Sequence, residues 1–195
     1  MCEPSNSGLP FKFIFGDQAD VPLDLEVTII RTSSGDPCLF PDLFQGFEKV
    51  AAVKRIFGAR TNQTLKSVRI LFSTRKGYLR VDNDTGDIII SSPYLQTAAE
   101  RDFYLDLIHE LVHVKQFKEG KDLFDKKYSY VERPTEIEAY SVAVKEARRI
   151  GMTEREIVDY LKVEWVNDED FKRLLRSLGV RRAKSDRSGA LTGES

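Results

Sequence analysis

The sequence predicts an α+β fold: a small mixed β-sheet packed against helices. Three observations predict it. Runs rich in aromatic and β-branched residues fill the first half of the chain, as strands do. From Thr97 onward apolar residues recur at helical spacing. The order is strands first and helices after, without the strict alternation that builds a parallel α/β sheet. A chain of 195 residues suits one domain, placed at 1–180 with residues 1–10 expected to be flexible. Residues 181–195, RRAKSDRSGALTGES, are polar and small, and are expected to form a disordered tail.

FKFIF (11–15) and LEVTIIR (25–31) read as the first strands. DLFQGFEKVAAVKRIFG (42–58) reads as one helix, with Asp42 as N-cap and Gly58 as its stop. KSVRILFST (66–74) alternates Val68, Ile70 and Phe72 at strand period. YLRV (78–81) and DIIIS (87–91) flank NDTG and read as a hairpin. The run Ile88-Ile89-Ile90 suits a strand covered on both faces. A long helix is expected from Thr97, boxed by Glu100, to Gly120. A second should run from Pro134-Thr135 to Gly151, a third should follow Thr153 with Glu156 completing its cap, and a fourth should span about 168–178.

Hydrophobic residues make up 41% and charged residues 31%, the balance of a soluble globular protein. Thirty basic side chains against thirty-one acidic ones give no indication of nucleic acid or an anionic membrane as partner, and neither is expected. Cys2 and Cys38 form no disulfide framework and no CxxC pair, which points to a reducing compartment. With no signal-peptide core and no membrane-length apolar run, a cytoplasmic location is expected.

The chemistry concentrates in HELVH, residues 109–113, which holds both histidines of the chain. On a helix, positions i and i+4 share one face, so the imidazoles of His109 and His113 can reach a single ion. Glu110 lies about 100° further round. From there it can reach a water on a metal and act as general base. Zinc is the expected cofactor. A catalytic zinc usually takes three protein ligands. No further histidine exists and no cysteine lies downstream, so a carboxylate is needed. Glu136 and Glu138, in RPTEIEAYSVAVKEA, are the candidates and point about 200° apart. With Thr135 as N-cap, Glu138 would occupy the third helical position and bond back to the cap. That leaves Glu136 to face the metal.

HELVH followed by EIEAY resembles the gluzincins, zinc metallopeptidases with HExxH on one helix and a glutamate ligand on the next. The short spacing is similar to the compact members called minigluzincins. Glu136-Ile137-Glu138-Ala139 matches the E-x-x-A part of the family pattern, which supports Glu136 as ligand. Tyr140 departs from it: relatives often carry there an acid that orients the first histidine. Some other acceptor must then hold the ring of His109 or His113. The order of elements over residues 25–150 also resembles the family, which implies a zincin-like arrangement with a backing helix, an active-site helix and further C-terminal helices. The resemblance implies that residues 78–82 are the sheet's edge strand and that a peptide or protein substrate pairs with it. Such peptidases often steady the oxyanion with an extra His or Tyr, and Tyr128, Tyr130, Arg133 and Tyr140 are the candidates here. Asp106 and Asp102, one and two turns before His109, are expected at the surface.

The expected function is therefore zinc-dependent hydrolysis of peptide bonds, with His109, His113 and Glu136 on the metal and Glu110 as base. The alternative is a non-catalytic zinc module of the same fold that binds or regulates a partner.

Overall fold

A computed structural model describes residues 11–12, 27–32 and 35–181. The molecule is α+β, with two small sheets beside a set of helices. The first sheet joins β1 (Phe11–Lys12), β2 (Thr28–Ile29) and β4 (Phe44–Gln45), all antiparallel. The second has the order β3 (Cys38–Leu39), β5 (Arg69–Ser73), β7 (Ile88–Ser91), β6 (Leu79–Val81). Its β5–β7 pair is parallel and the others antiparallel, so the sheet is mixed as expected. Residues 13–15, 25–26, the start at 1–10 and the tail from 182 lie outside the described residues.

The hairpin forms where the sequence placed it, and β6 is its outer strand. Its turn closes through Asp82, whose carboxylate accepts from the N–H groups of Asp84 and Thr85. Gly86 then takes φ +74°, a left-handed value that suits glycine. Ile88 and Ile90 are fully buried, while Ile89 keeps partial exposure, so the second face of β7 is only part covered.

The single helix expected over 42–58 does not form. Helix α1 (Phe40–Leu43) ends at once in β4, and Gly46 turns the chain left-handed at φ +83°. Helix α2 (Ala51–Phe57) starts afresh and stops at Gly58, with α3 (Thr61–Leu65) close behind. The helical spacing of Phe40, Phe44 and Phe47 arises from another cause. Their rings pack edge to face 5.0–6.2 Å apart across the bend. Asp42 is not a cap residue of the N-cap type; it sits inside α1 and accepts from the Leu39 N–H at 2.9 Å.

The helix expected from Thr97 begins later. Ser91 caps a short helix, α4 (Ser92–Thr97), of which Thr97 is the last residue. Arg31 holds the break open. Its guanidinium donates to the carbonyls of Leu95 and Ala98 at 3.0 and 2.8 Å and lies over the Phe103 ring. Helix α5 (Glu100–Lys118) follows and stops at Gly120, as predicted. From Phe103 to Val114 every residue of α5 except Asp106 is buried, so the helix is enclosed on all sides rather than amphipathic. It packs against α2, β6 and α6 (Pro134–Arg149). Helices α7 (Glu154–Tyr160) and α8 (Asp168–Ser177) follow, and the Thr153–Glu156 capping box forms as read. Among the described residues no helix is long and apolar enough to cross a membrane.

Two buried polar links pin the helices. Tyr104 of α5 donates at 2.6 Å to Glu146 of α6, which also accepts from Arg149. Asp106, expected at the surface, is half-buried and accepts from Tyr94 at 2.6 Å and Tyr160 at 3.1 Å. Burial pushes its carboxyl up to about 6, against the pull of the two hydroxyls.

Two outcomes follow from this packing. A Cβ at Gly86 would overlap the Phe117 ring as well as strain the backbone. Gly86→Ala should therefore cost roughly 1–3 kcal/mol in urea unfolding. For Asp106 the folded form holds its proton more tightly than the unfolded chain, so stability from this group is present below about pH 4 and lost as pH rises through about 6. Thermal melts across that range should show a shallower decline in Asp106→Asn than in the parent.

Candidate metal centre

The middle of α5 presents His109 and His113 one turn apart, toward the first turn of α6. There Arg133 is the N-cap, Pro134 the first helical residue and Glu136 the third. Thr135 is thus inside the helix, and the capping argument that assigned Glu138 a bond back to the cap does not hold. Glu138 is held otherwise, by Lys121 at 2.9 Å and Lys115 at 3.4 Å. Glu136 still turns inward, and it is buried with both histidines.

The three side chains converge. His109 Nε2 and His113 Nε2 are 2.9 Å apart, and Glu136 Oε2 lies 3.4 Å from the first and 3.6 Å from the second. A tetrahedral zinc with arms of 2.0–2.1 Å has ligand–ligand edges of roughly 3.3–3.4 Å. The observed edges bracket that length, so the donor set fits the ion in spacing and in chemistry. Among the described residues no fourth His, Cys, Asp or Glu joins the group. Glu136 Oε2 is buried and faces both imidazole nitrogens, the arrangement that a shared cation requires.

The electrostatics agree. Burial opposes a charge on Glu136, but the two imidazoles outweigh it and hold the carboxyl well below the usual range. Burial pushes His109 down. It acts on His113 too, yet the Glu136 hydrogen bond, Glu110 and Gln116 raise that ring to about 9. Glu110 lines the same cleft, accepts from the Val81 N–H and is pushed up to about 8, chiefly by burial. Its Oε2 has no partner.

The missing orienting group is Gln116, which the sequence reading did not single out. It lies one turn beyond His113, so helical spacing alone could have offered it. Its amide N donates to the Thr135 carbonyl and to Glu138 Oε2, both at 3.0 Å. The amide oxygen must then face His113 Nδ1, 2.8 Å away. This fixes the proton on Nδ1 and leaves Nε2 free to ligate. His109 has no such partner among the described residues; its Nδ1 is buried and unbonded, and its ring packs on Tyr140 at 4.4 Å.

The four oxyanion candidates separate. Tyr130 lines the cleft, and its hydroxyl meets that of Tyr140 at 2.8 Å. Tyr128 is exposed, Tyr140 lies behind His109, and Arg133 sits 3.7 Å from the Glu136 carboxylate.

The cleft holds about 180 Å³. One wall is Leu79, Arg80 and Val81 of β6, the edge strand. Tyr78 and Asp82 make the bonds to β7, so the alternation of an antiparallel pair turns the N–H and C=O groups of Leu79 and Val81 outward. Trp165, also unforeseen, contributes to the other wall; it lies far along the chain from HELVH, and no local pattern ties the two. Comparison with protein families, with characterised proteins and with solved structures finds no match to this chain.

Replacing Gln116 by Ala should weaken zinc binding about 10–100-fold, the range expected for a group that orients a ligand histidine. Chelator competition measures it, and unchanged affinity would show that His113 needs no such support.

Proposed function

We propose that the protein is a zinc-dependent peptide hydrolase of the gluzincin type, with a zincin-like arrangement of its sheet and helices. The observation that carries this reading is the convergence of His109, His113 and Glu136 in a cleft that also holds an unbonded Glu110 oxygen. Zinc, when bound, would supply a Lewis acid and an acidified water. The protein's own residues do the rest.

His109, His113 and Glu136 hold the ion, and Gln116 sets the His113 tautomer. The outward N–H and C=O of Leu79 and the C=O of Val81 pair the backbone of an extended peptide. Glu110 takes the proton of the attacking water and delivers it to the leaving amine. The Val81 N–H orients the Glu110 carboxylate for this. Tyr130 is the oxyanion donor we favour. Burial keeps its hydroxyl protonated, and when Tyr140 donates in the bond between the two hydroxyls the Tyr130 proton is free to point into the cleft.

Glu110→Gln should retain zinc, by metal analysis and by a zinc-induced rise in melting temperature, and lose at least a hundredfold in peptide hydrolysis. Retained zinc with parental cleavage would remove Glu110 from the mechanism. A purified parent that binds zinc and cleaves no peptide would favour the non-catalytic zinc module.

A further inference from the structure

The cleft runs alongside α5, and its two ends differ. At the α5 C-terminal end lie Leu123 and Phe124, the latter 42% exposed. Toward the α5 N-terminus the walls are joined. Trp165, on the connection between α7 and α8, has its ring 5.3 Å from Tyr78, which precedes β6, and 6.2 Å from Tyr130, on the opposite wall. Tyr78 in turn rests on Tyr94 at 5.0 Å, and Tyr130 on Tyr140 at 6.4 Å. The rings form a continuous arch from the sheet to the ring beside His109. Its footing is fixed: Tyr160, five residues before Trp165, is bonded to Asp106 of α5, as is Tyr94.

We propose that Trp165 makes the cleft blind at this end, so that the site takes the end of a peptide chain and not its middle. An extended chain adds about 3.3 Å per residue, and the whole cleft from Trp165 to Phe124 holds only about 180 Å³, so the arch leaves a short stretch of chain on its side of the metal-ligand cluster. Past the metal in the other direction no such bridge crosses the cleft among the described residues. The inference rests on the zinc hydrolase reading, since it presumes a peptide laid along β6.

Two series of zinc-anchored probes test it. In one, a hydroxamate ends a chain of one to four alanines, so the chain extends to one side of the metal. In the other, a succinyl hydroxamate begins the chain, which extends to the other side. Trp165 is the sole tryptophan, so its emission reports contact directly. One series should lose at least tenfold in affinity beyond its first residue and shift the emission, while the other tolerates its full length. Trp165→Ala should abolish that loss; the side chain is 55% exposed, so its removal should leave the fold intact. Equal tolerance of both series in the parent, or a length limit unchanged in Trp165→Ala, overturns the blind end alone. Failure of every hydroxamate to bind the zinc-loaded protein overturns the hydrolase reading and this inference with it.

Discussion

Three ionisable side chains share one buried point, and the rest of the structure is arranged to tolerate that. Two imidazoles and a carboxylate within 2.9–3.6 Å of one another cannot be dry and unpaired without large cost. A divalent cation resolves the conflict; so, less completely, does a shared proton. Everything nearby keeps the group from relaxing apart. α5 is enclosed on all sides, α6 is tied to it by the Tyr104–Glu146 bond, and Pro134 starts α6 with its first turn facing the histidines.

The burial of α5 explains why polar residues at this site need individual partners. Gln116 is fully buried; both of its amide hydrogens go to Thr135 and Glu138, and its oxygen faces His113. His109 differs from His113, with an unbonded nitrogen and its ring against an aromatic one. The two histidines are thus held differently, one by hydrogen bonds and one by packing.

Much of this was legible in the sequence, and the misses have physical reasons. Helical spacing puts His109 and His113 on one face, and the structure has them there with Glu110 in the same cleft, because α5 is long and regular. The cap expected at Thr135 does not form, yet the 200° between Glu136 and Glu138 means that only one of them can face the histidines, and the E-x-x-A resemblance points to the same residue, Glu136. The helix over 42–58 does not form because Phe44 and Phe47 pack with Phe40 across a bend, which Gly46 permits. The break between α4 and α5 depends on Arg31, more than sixty residues away. Trp165 was invisible for the same reason: which rim a distant side chain meets is decided by tertiary packing.

The contacts around Glu138 have one further consequence. Its lysine partners stand at the rim of the molecule, with Lys121 about two-fifths exposed. Ion pairs in such positions are screened by dissolved salt. Since Glu138 also steadies the Gln116 amide, the geometry of an interior imidazole is linked, through two side chains, to the ionic strength of the surrounding medium.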